Sequence, residues 1–174
     1  YKFDRIDFEQ TGTSAADWVE YGIWITNSSA TNGAQFNSFK NGFVTLSINN
    51  GSAIGIYVQS VNTPTAASGT NSDNEFINMS VSNCKIGYNI TGATTSFTDN
   101  NNEINSEVGG SSGIYDIGDG VATGSTYGVF ASYQSNLTIK NTGIANITGT
   151  GTTLVYGITL QSSASNSCDI SDNT

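Results

Sequence analysis

The sequence predicts an all-β solenoid, and three observations carry that prediction. A short apolar alternation closed by a side-chain amide or its acid returns along the chain. A second phrase, built on a glycine between apolar residues, returns at a similar interval. Between these marks apolar and polar residues alternate, and no stretch holds helical spacing over ten residues.

The first phrase runs Ile6-Asp7-Phe8-Glu9-Gln10, then Phe36 to Asn41, Phe76 to Asn83, Leu137 to Asn141 and Cys168 to Asp172. Its closing residues, Gln10, Asn41, Asn83, Asn141 and Asp172, lie 31, 42, 58 and 31 residues apart. The longest gap is close to two periods, so the unit is about thirty residues with insertions, the range of stacked repeats. The second phrase centres on Gly22, Gly55, Gly87, Gly113, Gly128 and Gly157, at gaps of 33, 32, 26, 15 and 29. The short gap places either Gly113 or Gly128 outside the regular coil, and spacing alone does not choose between them.

Within a unit, Phe43-Val44-Thr45-Leu46-Ser47-Ile48 alternates most cleanly and reads as strand. Asn-Gly steps at 32–33, 41–42 and 50–51 mark corners, since both residues tolerate positive φ. Each coil therefore holds about three short strands, each pairing in parallel with its copy in the next coil. Loops are expected at Asn62–Asp73 and Thr91–Asn102, and any function beyond length and rigidity is expected where the period breaks, around Thr63–Asp73, Thr91–Asn102 and Asp116–Gly128.

Composition agrees. The 174 residues include 20 glycines, 21 asparagines and a single proline, Pro64, and charged residues make up only 11%. That is less than half the usual share, yet the apolar residues recur in register as they do not in disordered tracts. The net charge of −9 leaves no basic stripe, which argues against nucleic acid and against anionic polyuronates. No apolar run is long enough to span a membrane. Cys84 and Cys168, if three coils apart, are separated by about 14 Å at the usual strand spacing. That exceeds the about 7 Å a disulfide allows, so two free thiols are expected. Residues 1–174 read as one segment with uncapped ends, an excerpt of a longer array.

With this ladder and the Gly-Ile-x-Val/Ile strands between its rungs, the chain resembles a right-handed parallel β-helix of the pectate-lyase-like superfamily. The resemblance covers essentially the whole chain at the level of fold, with another all-β array, such as a sandwich, as the alternative. It implies five to six coils with loop insertions. It also implies that Gln10, Asn41, Asn83, Asn141 and Asp172 stack as an internal ladder, because a buried amide is satisfied when its neighbours above and below are amides too.

That superfamily contains lyases, hydrolases, epimerases and non-enzymes, so fold does not name a reaction. Galacturonan hydrolases of this fold carry Asn-Thr-Asp, Asp-Asp and Gly-His-Gly motifs. Here there is no histidine and no Asp-Asp pair, and Thr98-Asp99-Asn100 is a partial echo. Pectate lyases use calcium held by acids with a basic residue; the sole arginine, Arg5, reads as a strand residue salt-bridged to Asp4 or Asp7. Asp116 and Asp119 are the best carboxylate pair, set around Gly118 and Gly120, and fit either an Asp-Gly turn or a calcium ligand pair. No other cofactor is implied.

Aromatic residues cluster at Trp18, Tyr21 and Trp24 and recur at Tyr57, Tyr88, Tyr115 and Tyr127. Tyr57 and Tyr115 each follow an inward-facing isoleucine, so alternation turns them outward, where they suit sugar stacking. Sequons occur at Asn27, Asn50, Asn78, Asn89, Asn136 and Asn146. The expectation is a non-catalytic structural or adhesive segment (stalk, adhesin or filament repeat) of a secreted or cell-surface protein, partnered by neighbouring coils, by copies of itself or by polysaccharide. The alternatives are an extracellular polysaccharide lyase or glycoside hydrolase, or a carbohydrate-binding module.

Overall fold

The chain folds as an all-β parallel solenoid of about five turns, seen in a computed structural model. The structure describes residues 1–106, 113–118, 124–150, 154–161 and 167–174. The first coil holds β1 (Lys2–Asp4), β2 (Asp7–Glu9) and β3 (Tyr21–Ile25), and the second β4 (Ser38–Lys40), β5 (Phe43–Thr45) and β6 (Ile54–Gln59). The third holds β7 (Glu75–Ile77), β8 (Ser80–Cys84), β9 (Ile86–Thr91) and a short β10 (Asp99–Asn100). The fourth holds β11 (Glu103–Asn105), β12 (Gly113–Ile117), β13 (Thr126–Ser132) and β14 (Gln134–Ser135). The fifth holds β15 (Leu137–Lys140), β16 (Gly143–Ile147) and β17 (Val155–Gln161), and β18 (Cys168–Ser171) opens another pass.

Equivalent strands of successive coils pair in parallel and make three faces. Sheet A is β1-β4-β7-β11-β15-β18, sheet B is β2-β5-β8-β12-β16, and sheet C is β3-β6-β9-β13-β17. β10 and β14 pair at an added corner. Inward residues stack in register: Phe3, Phe39, Phe76, Ile104, Ile139 and Ile170 align along sheet A at intervals of 36, 37, 28, 35 and 31 residues. The period is thus irregular but real, and the first three of these rings stack at 4.9 and 5.5 Å.

Corners among the described residues turn on left-handed residues, Tyr133 before β14 being one. Arg5, Asn41, Asn78, Asn141 and Asp172 lead from sheet A into sheet B; Asn83, Asp116 and Asn146 kink the end of sheet B; Phe36, Asp73, Asn101 and Asn136 precede sheet A. Asn and Asp bear this conformation at the lowest cost of any residue except glycine. Arg5 is therefore a corner residue, not a strand residue. The ion pairs among the described residues are Lys40–Glu75 and Lys140–Asp169, and Arg5 joins neither.

The internal ladder runs through different residues from those expected. Asn41 and Asp172 are exposed, and Asn141 is half-buried. Asn41 donates outside the coil to Asp4 at 2.9 Å and accepts from Asn78 at 3.1 Å. Asn83 lies at the next corner, in β8. Gln10 accepts from the Val19 N–H at 3.0 Å and so pins the loop before β3. The physical reason is the backbone: a left-handed residue at an outer corner turns its side chain away from the core. The buried ladder is Asn37, Asn74, Asn102 and Gln134, whose amides donate one to the next at 2.9, 3.2 and 3.0 Å.

Gly22, Gly55, Gly87, Gly128 and Gly157 occupy one row of sheet C, which places Gly128 in the regular coil, while Gly113 begins β12 in sheet B. A Cβ at Gly55 would fall 2.1 Å from the Val81 side chain and 2.8 Å from the Gly87 carbonyl oxygen. The glycines therefore let sheet C close against sheet B. They also let two consecutive residues face inward, giving the in-in-out-in order of Gly55, Ile56, Tyr57 and Val58.

Candidate binding face

That order fixes which side chains sheet C shows to solvent. One outer row is Tyr21, Ile54, Ile86, Tyr127 and Tyr156; the next is Trp24, Tyr57, Asn89, Phe130 and Thr159. A third begins at Gln59 and Thr91 and ends at Gln161. Tyr57 is thus on an outward row, as alternation predicts, and it does not stand alone. Trp24 and Tyr57 stack at 6.3 Å and 16°, and Tyr21 packs on both at 5.4 and 5.0 Å. Trp24 is 50% exposed, which is large for so apolar a ring. Partial burial, and then the neighbouring Tyr21, raise the Tyr57 phenol above its ordinary value, while Gln59 opposes the shift. Further along the axis Tyr127 stacks on Tyr156 at 5.1 Å and 6°, with Phe130 edge-on at 5.1 Å.

The chemistry of this face differs from that of sheet A. The five strands of sheet C contain no Asp, Glu, Lys or Arg. Sheet A carries Lys2, Asp4, Lys40, Glu75, Glu103, Lys140 and Asp169. There Lys40 pairs with Glu75 at 3.4 Å and Lys140 with Asp169 at 2.6 Å. The Lys140 ammonium, by its hydrogen bond, holds the Asp169 carboxyl below its ordinary range. A shallow groove of about 420 Å³ lies on this side, lined among others by Lys2, Asp4, Phe36, Lys40, Asp73 and Glu75.

Tyr115, the other tyrosine expected to stack sugars, is 38% exposed but lies in β12 of sheet B between Ser82 and Ala145. The fold does not bring it to Tyr57. Trp18 sits half-buried in the loop before β3, with no ring contact to Tyr21 or Trp24, and Tyr88 is buried in the core.

Of the carboxylate pair, Asp119 lies outside the described residues. Asp116 takes a left-handed backbone at the sheet B kink, and its Oδ1 accepts from Asn146 Nδ2 at 3.1 Å. Among the described residues no three Cys, Asp or Glu side chains converge as metal ligands. In the partial echo Thr98-Asp99-Asn100, Thr98 and Asn100 line a shallow groove of about 360 Å³ with Gln35, Thr70 and Asp73, whereas Asp99, which forms β10 with Asn100, is fully buried beside the amide ladder. Its Oδ1 accepts the Asn71 N–H at 2.8 Å, while no donor reaches its Oδ2. Burial pushes this carboxyl up to about 7, against the opposing pull of the Asn71 N–H and of the nearby Gln134 amide.

Both cysteines are free, and burial raises the Cys84 thiol to about 12. Among the described residues no helix is long and apolar enough to cross a membrane. No protein-family model, no curated protein and no solved structure matches the chain.

Proposed function

We propose that this chain is a non-catalytic, adhesive β-helix segment of a secreted or cell-surface protein, and that its contact surface is the outer face of sheet C. One observation carries the proposal: an aromatic face without charge, on a solenoid whose sheet A is heavily charged. Exposed rings cost solubility, and a contiguous apolar patch on a soluble protein marks a place of contact. Parallel pairing of every coil with the next, together with the buried amide ladder, supports the reading of a stiff scaffold that presents such a surface.

The test is retention of the chain on immobilised extracellular polysaccharides, followed by assay of the eluate for reducing ends and for unsaturated sugars. Retention without product is expected. Release of shortened or unsaturated product would overturn the non-catalytic reading in favour of a hydrolase or lyase. Absence of retention on every surface would overturn the adhesive one.

A further inference from the structure

We propose that the outer face of sheet C takes a neutral glycan laid along the solenoid axis, in contact with two aromatic patches at once. The inference rests on the adhesive reading and adds the ligand class, its direction and a second contact. The first patch is Trp24 with Tyr57 and Tyr21 on coils one and two; the second is Tyr127, Phe130 and Tyr156 on coils four and five. Both patches occupy the same two rows, so a line parallel to the axis crosses both.

The direction follows from spacing. Neighbouring strands stand about 4.8 Å apart, so coils one to five span about 19 Å. An extended β-linked pyranose chain advances by one ring per unit, a step comparable to the spacing of neighbouring strands, so each sugar moves on by about one coil. Sugar rings present an apolar C–H face to an aromatic ring and hydroxyls at their rim. Coil three, between the patches, answers the rim: Asn89 Oδ1 accepts from the Thr91 hydroxyl at 2.7 Å, which leaves the Asn89 amide N–H groups as donors. Gln59 and Gln161 add amides along the edge.

The neutrality follows from charge. A polyanion would find no cation on these strands and a net charge of −9 around them. A polycation would be drawn to the acids of sheet A instead. A second copy of the chain would bury the Asn89 and Gln59 amides, each of which would then need a hydrogen-bond partner on the facing copy.

The experiment first screens the chain against neutral and anionic polysaccharides. It then titrates oligosaccharides of two to eight units, cut from the best neutral binder, into the parent, Trp24→Ala and Tyr127→Ala. Unfolding of each variant is measured alongside, since both side chains face outward and their loss should leave the fold standing. Affinity should rise at least tenfold with length and level off near four to five units, as a second contact becomes intramolecular. Either substitution should remove that gain and return the long oligosaccharide to the affinity of the short one. Length-independent affinity, or an unchanged Tyr127→Ala, would overturn the two-patch proposal while leaving adhesion intact. Binding of anionic polymers only, or concentration-dependent self-association lost in Trp24→Ala, would overturn the ligand class.

Discussion

Replacing Asp99 by asparagine should stabilise the protein above neutral pH, though a buried acid is lost. Asp99 is 0% exposed, and its carboxyl titrates at about 7 rather than at the ordinary 3.8, chiefly because burial penalises its charge. No charged neighbour contributes to that shift. The folded pKa lies above the unfolded one, so the native state binds the extra proton between about pH 4 and 7. Stability from this group is complete below about pH 4 and is lost as pH rises through 7. The shift of about three units is worth on the order of 4 kcal/mol at about 1.36 kcal/mol per unit. An asparagine keeps the acceptor for the Asn71 N–H, and its NH₂, like the Oδ2–H of the protonated acid it replaces, carries no charge. Urea unfolding of parent and Asp99→Asn at intervals from pH 4 to 8 isolates this group, because the other acids are common to both. The variant should match the parent near pH 4 and exceed it by up to about 4 kcal/mol at pH 8. Equal slopes for the two proteins, or a variant less stable at pH 8, would refute the reasoning.

Asn74→Leu should be strongly destabilising in thermal or urea unfolding, since it strands the Asn37 amide and the Ala34 carbonyl at about 1–3 kcal/mol per orphaned group. Asn83→Gly, which keeps the left-handed backbone at an outer kink, should cost less than about 1 kcal/mol. Gly55→Ala should cost about 1–3 kcal/mol by overpacking, because its Cβ would meet both Val81 and the Gly87 carbonyl; a stability equal to the parent's would deny the close approach of sheets B and C. An alkylating reagent at pH 8, followed by mass spectrometry, should label half-buried Cys168 well before Cys84, whose thiol is buried and held near 12.

The solenoid was legible because its repeat is written in side chains that must face the core. Alternation at Phe43–Leu46 and the glycines from Gly22 to Gly157 register directly in sheets B and C. The ladder was misplaced because left-handed corners and buried rungs draw on the same residue type. Asparagine serves both at Asn41, which is exposed, and at Asn74, which is buried. A usable signal was present: Asn37, Asn74 and Asn102 each follow a left-handed residue, Phe36, Asp73 or Asn101, at the corner before sheet A. Phe36 hides that pattern, since a bulky ring at positive φ, here 69% exposed, is not what a corner usually selects. Asp99 was hidden for another reason: Gln134, its partner in β14, turns its amide to Asn102 and the Ser132 carbonyl. Of the binding face, outward Tyr57 could be read from alternation. Its union with Trp24 and Tyr21, and the separation of Tyr115 onto sheet B, required the register between coils.

Hydroxyl-radical footprinting with and without a saturating neutral polysaccharide asks most directly whether sheet C is the contact surface. Protection should appear at Trp24, Tyr57 and Tyr127, with Tyr115 on sheet B and Phe36 beside sheet A unchanged. Protection at Phe36 or Tyr115 with Trp24 still reactive would contradict it.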